Sequence, residues 1–84
     1  MAYNLQSDNP EDFIQLYDRF SPAVLGLIIK WVNDQDIAET LLKEVFVKAW
    51  RNRKMYDAGK ILPFTWLYRI AKNDCNDYLL RKGV

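Results

Sequence analysis

Histidine is absent from this sequence, and cysteine occurs once, as Cys75. A lone cysteine excludes an internal disulfide and a cysteine-based zinc site, and Cys75 is expected to be a small buried apolar residue. Without histidine, the chain lacks the commonest general base and metal ligand. Asp74 and Asp77 lie in a basic segment, where they are expected to be local charge partners. The sequence therefore favours a protein that is not an enzyme and that needs no metal or cofactor.

A long apolar run is also absent. The best candidate, residues 23–32, is short and contains Lys30, whereas a membrane-spanning helix needs roughly 18 apolar residues. The first residues, Met1 to Asn4, do not show the basic stretch followed by an apolar one that marks a secretion signal. The sequence therefore predicts no membrane insertion and favours a cytoplasmic location.

Glycine and proline are scarce, with three of each among 84 residues. Half of the residues are apolar and 14% are aromatic, which provides a core for one small domain but not for two. The alternation of apolar and polar residues that is typical of strands is not found. We therefore expect a single all-α domain over residues 1–84, built as a compact bundle of four to five helices.

The first helical segment begins with a capping signal. Asn9 is a good N-cap, and Pro10 suits the first helical position. Ser21 and Pro22 repeat the same signal in the middle of the apolar pattern. Residues 10–32 are therefore expected to form a pair of helices, or one kinked helix.

The apolar periodicity of residues 34–83 predicts two more helices and a loop. Asp36 and Glu39 have the spacing of a capping box, at the start of a helix over residues 34–53 with one continuous apolar stripe. A loop is expected at residues 54–62. The last helix is expected over residues 63–82, opened by a proline and ending near Gly83.

The two halves of the chain carry opposite charge, although the formal net charge is only +1. Residues 1–47 hold three basic and eight acidic residues, and residues 48–84 hold nine basic and three acidic ones. The corresponding net charges are −5 and +6. Such asymmetry indicates a polyanion on one side and a different partner on the other, or simply two solvated helix faces.

Aromatic and basic residues are interleaved between Lys54 and Arg81, a pattern typical of nucleic-acid binding. Cations bind phosphates, aromatic rings stack on unpaired bases, and amide side chains hydrogen-bond to base edges. Helical spacing assigns Trp66 and Leu67 to the core. The better candidates for contact lie off this apolar stripe: Tyr68, Arg69, Lys72, Asn73 and Asn76.

Several sequence stretches follow one another in a characteristic order. They are FxxLYDRFSPA at residues 13–23, EVFVKAWR at 44–51, YD at 56–57, and FTWLYRIAKN at 64–73 followed by DYL at 77–79. Together they span nearly the whole chain. In this order they resemble region two of a bacterial sigma factor of the extracytoplasmic-function type, the domain that docks on RNA polymerase and opens the promoter.

The resemblance implies a role for the loop and the last helix in DNA recognition. In this family they bind the minus-ten promoter element as a separated single strand, with one base turned out into a protein pocket. Tyr56 and Asn73 match positions that form such a pocket, and nearby cations would hold the phosphates. The expected DNA-binding residues are Arg53, Lys54, Tyr56, Lys60, Phe64, Tyr68, Arg69, Lys72, Asn73 and Asn76.

The resemblance also implies protein partners. The polar face of the helix at residues 34–53 would dock on the clamp helices of the largest subunit of the RNA polymerase core, and an anti-sigma factor is the expected regulator. The helix-turn-helix domain of the family is not found in this sequence, which suggests a domain fragment or a truncated product. The expected polymerase-binding residues are Glu39, Thr40, Lys43, Glu44 and Lys48.

Several positions depart from the family pattern. Ile37, Thr40 and Lys43 stand where the family usually has two acidic residues and a glutamine, and residues 61–63 are apolar where small residues are usual. A second hypothesis therefore stays open, namely a sigma-like helical protein–protein module that binds polymerase or an anti-sigma protein without promoter DNA. A generic nucleic-acid-binding bundle fits the charge but not the ordered motifs.

Overall fold

The fold was analysed in a computed structural model, which describes residues 9–82. This part of the chain contains three α-helices, one short 3₁₀ helix and no strand, so the predicted all-α class is confirmed. The predicted count of four to five helices is not confirmed, and the predicted end near Gly83 lies outside the described residues. In chain order the elements are α1 at Pro10–Val32, α2 at Gln35–Arg51, the 3₁₀ helix at Arg53–Met55 and α3 at Pro63–Lys82.

The lower helix count arises because α1 continues through Pro22. Its N-terminus is as predicted, since the Asn9 side chain accepts a hydrogen bond from the Glu11 backbone N–H at 3.0 Å and Pro10 follows. A proline within a helix removes one hydrogen bond and costs about 3 kcal/mol. Leu16 and Ile28, on either side of Pro22, are both fully buried in the same core. Burial of these side chains offsets that cost and keeps α1 in one piece.

The turn between α1 and α2 is made by two residues. Asn33 adopts a left-handed conformation, with φ 56°, and donates its backbone N–H to the Ile29 carbonyl at 2.8 Å, an arrangement that asparagine tolerates well. The next residue, Asp34, caps α2 by accepting a hydrogen bond from the Ile37 N–H at 3.1 Å. The predicted cap at Asp36 was therefore wrong by two residues, because Asp36 already lies in the first helical turn.

The core lies where the apolar stripes of the three helices meet. Each helix packs against the other two, and the described bundle measures 39 × 20 × 18 Å. Cys75 is buried in this core, as expected. No helix within residues 9–82 is long and apolar enough to span a membrane. The buried apolar residues are Leu16, Val24, Ile28, Ala38, Leu41, Leu42, Val45, Phe46, Ala49, Tyr56, Leu67, Ala71 and Cys75.

Truncation of Leu67 should show how much the bundle depends on this core. Leu67 is fully buried, whereas Leu80 on the same helix is 70% exposed. We expect Leu67→Ala to lower the free energy of unfolding by about 2–5 kcal/mol, and Leu80→Ala to change it by less than about 0.5 kcal/mol. Urea denaturation followed by circular dichroism measures both values. Equal effects of the two substitutions would contradict the described packing.

Candidate nucleic-acid interface

A polar cavity of about 420 Å³ lies between α2 and α3. Its volume falls within the range of small-molecule sites, roughly 300–1,000 Å³. The cavity brings together two predicted DNA-binding residues, Arg69 and Asn73, on consecutive turns of α3. It also includes Lys48, which was predicted to bind polymerase. The lining residues are Lys48, Asn52, Trp66, Arg69, Ile70, Asn73 and Asp74.

An ion pair links the two helices at this cavity. The Lys48 ammonium on α2 donates to Oδ1 of Asp74 on α3. The Asp74 side chain is only 3% exposed, whereas the Lys48 side chain is 49% exposed. A buried carboxylate is strongly unfavourable unless it is paired. The Lys48 ammonium therefore compensates the buried charge of Asp74. A contact with α3 therefore holds Lys48 on the flank of α2 that borders the cavity.

Asp74 was expected to have a local charge partner. The structure shows that its partner, Lys48, lies on a different helix, which was not predicted. It follows Ile70 by four residues and Ala71 by three, so it falls on the buried stripe of α3. An acidic residue on an apolar stripe indicates a buried carboxylate with a partner on another helix, and this signal is visible in the sequence. Asp77, the other acidic residue of α3, is exposed.

Tyr56 is buried beneath the loop that follows the 3₁₀ helix. Its side chain is 4% exposed, and its hydroxyl donates a hydrogen bond to the Ile61 carbonyl at 2.8 Å. Burial, and to a lesser extent the charge of Asp57, raises the pKa of the Tyr56 hydroxyl. In this structure Tyr56 therefore closes the loop over residues 57–61, and it does not line the cavity that contains Asn73.

Trp66 connects Tyr56 to the cavity. Its ring centroid lies 5.1 Å from that of Tyr56, and Trp66 also lines the cavity. The spacing of apolar residues assigned Trp66 to the core, and it is indeed half-buried against core residues. The structure shows a second property that spacing did not reveal, because Trp66 also borders the polar cleft.

Two other aromatic candidates pack against α1. The Phe64 ring lies 5.9 Å from that of Phe20, and the Tyr68 ring meets that of Trp31 edge to face at 5.4 Å. Both residues are half-buried. They therefore help to fix α3 on α1, on the flank away from the cavity.

The predicted phosphate-binding cations occupy different settings. Arg53 is half-buried, with its guanidinium 3.8 Å from the centroid of the Trp50 ring and Nη1 donating to the Trp50 carbonyl at 2.8 Å. This residue secures the end of α2. Arg69, on the cavity rim, is exposed. The other exposed polar candidates are Lys54, Lys60, Lys72 and Asn76.

Four of the predicted polymerase-binding residues are exposed on α2 away from the cavity with α3, and their surroundings differ. Glu39 and Lys43 line a cavity of about 460 Å³ between α1 and α2, together with Tyr17. Thr40 and Glu44 are exposed on the outer side of α2, where the Thr40 hydroxyl donates to the Asp36 carbonyl at 3.2 Å.

The groove between α1 and α2 is mostly apolar. A second cavity of about 320 Å³ continues it, lined by aromatic and aliphatic side chains and by Lys43. Tyr17 and Lys43 border both cavities. This groove was not foreseen, because it forms only when two amphipathic helices pack. The lining of the second cavity is Phe13, Tyr17, Lys43, Phe46, Val47 and Trp50.

These features define a small helical domain with a polar cleft on one flank of α2 and an apolar groove on the other. The sequence matches the family model for Sigma-70 region 2 over residues 16–84. The chain therefore belongs to the Sigma-70 region 2 family.

Individual relatives agree with this assignment. The chain is 34% identical to an ECF RNA polymerase sigma-E factor of Haemophilus influenzae and 33% identical to an RNA polymerase sigma-H factor of Pseudomonas aeruginosa. It is 32% identical to the ECF RNA polymerase sigma-E factor of Escherichia coli K12. Each alignment covers 99% of this chain but only 42–43% of the relative, so the chain spans less than half of these proteins.

The hydroxyl of Tyr56 should contribute measurably to stability. Tyr56→Phe removes its hydrogen bond to Ile61, and we expect the free energy of unfolding to fall by about 0.5–1.5 kcal/mol. Tyr17→Phe is the matched control, since Tyr17 is exposed and its hydroxyl makes no hydrogen bond within residues 9–82. Urea denaturation of both variants measures the difference. A loss as large in Tyr17→Phe would contradict the assigned role of Tyr56.

Cys75 should be unreactive while the protein is folded. Burial, and to a lesser extent the Asp74 carboxylate, raises the pKa of the Cys75 thiol to about 11, so little of the reactive thiolate is present at pH 8. Labelling with a disulfide reagent should be on the order of 100-fold slower in native than in urea-unfolded protein. The native rate should increase as the pH rises towards 11. Similar rates in both states at pH 8 would show that the thiol is not buried.

Proposed function

We propose that this chain is the promoter-recognition domain of a sigma factor and that the cavity between α2 and α3 receives an unpaired base of the minus-ten element. The observation that carries the proposal is the convergence of Lys48, Trp66, Arg69 and Asn73 on that one cavity. Cations, an aromatic ring and an amide are the groups that bind single-stranded DNA. The relatives that match the chain are named as sigma factors, which supports the same role.

Each group has a distinct part in the proposed complex. Arg69 and Lys48 hold phosphates at the cavity rim, and we assign further phosphates to the exposed Lys54, Lys60 and Lys72. Trp66 supplies the ring on which a base stacks, and the Asn73 amide both donates to and accepts from a base edge. Unstacking a base from the duplex costs a few kcal/mol, while each stacked base returns about 1–3 kcal/mol. Capture of the strand therefore offsets the cost of melting without hydrolysis.

The remaining predicted residues act mainly on the shape of the site. Tyr56 holds the loop closed in this structure, and its direct contact with a base stays a prediction that requires the loop to open. Phe64 and Tyr68 fix α3 against α1, and Arg53 fixes the end of α2. Asn76 lies one turn beyond Asn73 on α3, within reach of the same strand.

Polymerase docking is proposed for the outer side of α2 and the adjoining groove. Glu39, Thr40, Lys43 and Glu44 border this region, and its aromatic lining includes Tyr17. An amphipathic helix of the partner fits such a groove through residues spaced three or four apart. We place the clamp helices of the polymerase there, and an anti-sigma factor would compete for the same face. Lys48 is assigned to the DNA side instead.

DNA binding should depend on strand state, salt and Arg69. We expect a labelled single strand to bind more tightly than the matching duplex, with affinity falling about tenfold or more between 50 and 200 mM salt. Arg69→Glu should weaken binding by about tenfold or more, whereas Lys30→Glu, on an exposed position of α1, should change it little. Fluorescence anisotropy measures the affinity of each protein and DNA combination. Equal affinity for single strand and duplex would count against promoter recognition.

Binding to core polymerase should depend on a different face. We expect Glu44→Arg to weaken retention on immobilised core enzyme by about tenfold, because the substitution reverses a charge on the outer side of α2. Asp18→Arg is the control, since Asp18 is an exposed acid of α1, and the double variant Arg69→Glu, Lys72→Glu should also be retained. Wild-type retention without any DNA binding would favour the protein–protein module.

A further inference from the structure

Asp74 keeps an unused hydrogen-bond acceptor inside the cavity wall. Its Oδ1 accepts from the Lys48 ammonium, whereas its Oδ2 is buried and has no hydrogen-bond partner within residues 9–82. A buried carboxylate oxygen without a donor is unfavourable. A ligand that offers a suitably placed donor would therefore recover free energy there. The proposed function assigns no contact with DNA to Asp74.

The surroundings of Asp74 restrict what that ligand can be. Arg69 and Asn73, which share the cavity, supply N–H donors. The cavity therefore offers one strong acceptor next to several donors. Cytosine presents the complementary edge, with an amino donor beside two acceptors, and adenine presents an amino donor beside one acceptor. Uracil and thymine place a carbonyl where cytosine has its amino group, and this oxygen would face a carboxylate.

Lys48 is paired with Asp74 at the edge of the cavity. Its side chain is half exposed, whereas the carboxylate beneath it is almost fully buried. The lysine stem is flexible and its ammonium has three rotatable donors, so one donor can stay on Oδ1 of Asp74 while another binds a DNA phosphate at the cavity rim. Oδ2 of the carboxylate still lacks a donor from the described part of the chain, although it is buried. The amino group of a base in the cavity can supply it.

We propose that Asp74 is a specificity-determining residue of the cavity and accepts a hydrogen bond from the exocyclic amino group of an unpaired base. This inference rests on the proposed function, because it requires a single strand in the cleft between α2 and α3. The site then selects cytosine or adenine over thymine, and Lys48 keeps its pair with Oδ1 of Asp74 while it also binds a phosphate.

Two oligonucleotides test the proposal, one with a base that carries an exocyclic amino group and one with a base that carries a carbonyl in its place. Twelve-nucleotide strands of deoxycytidine and of deoxyuridine, labelled at one end, are titrated with the full chain at pH 8 and followed by anisotropy. We expect wild-type protein to bind the cytosine strand about five- to tenfold more tightly. Asp74→Asn should abolish this preference. The asparagine amide can accept a hydrogen bond from the amino group of cytosine or donate one to the carbonyl of uracil, so both strands can bind.

Asp77→Asn is the matched control for charge. It removes one negative charge from an exposed position three residues further along α3, and it should keep the preference for cytosine. Circular dichroism and urea denaturation verify that each variant is folded, and the comparison in the wild-type protein needs no variant at all.

Each result has a definite consequence. Preference in the wild type and in Asp77→Asn, together with its loss in folded Asp74→Asn, supports the assignment. Equal binding of the two strands by wild-type protein overturns the role of Asp74 but leaves single-strand binding intact. Unchanged preference in Asp74→Asn, or equal loss in both variants, overturns it as well. Failure of wild-type protein to bind either strand overturns both this inference and the proposed DNA recognition.

Discussion

The position of α2 between α1 and α3 is the constraint on which the rest of the structure depends. Its apolar stripe is buried against both neighbours, with Ala38, Val45 and Ala49 fully enclosed. Once that stripe is buried, the two flanks of α2 lie against different helices. One flank borders the apolar groove with α1, and the other borders the polar cavity with α3. Two surfaces of different chemistry thus arise from the packing of a single helix.

In the proposed function, this arrangement would let a domain of this size serve two partners. The cavity side carries lysine and arginine beside Trp66 and Asn73, as a single DNA strand requires. The groove side carries aromatic residues with Glu39 at the rim, which suits a helix of a protein partner. Because the two surfaces lie on opposite flanks of α2, both can be occupied together in the proposed complex.

Packing also decided several local features against their sequence signals. Ser21 and Pro22 look like a helix start, yet burial of Leu16 and Ile28 on either side keeps α1 continuous. The capping signal at Asp36 was displaced because Asn33 turns the chain with a left-handed conformation and leaves Asp34 as the cap. In both cases a local preference worth a few kcal/mol competed with side-chain burial or backbone geometry elsewhere.

The sequence by itself determined the helical class, the N-cap at Asn9, the family and the candidate residues Arg69 and Asn73, because periodicity, caps and ordered motifs are local properties. Only the tertiary structure decided that Lys48 pairs with Asp74, that Tyr56 is buried and that Trp66 borders the cavity. These facts depend on how α2 and α3 face each other. Helical spacing gives the side of a helix on which a residue lies, but not the residue that it meets across the interface.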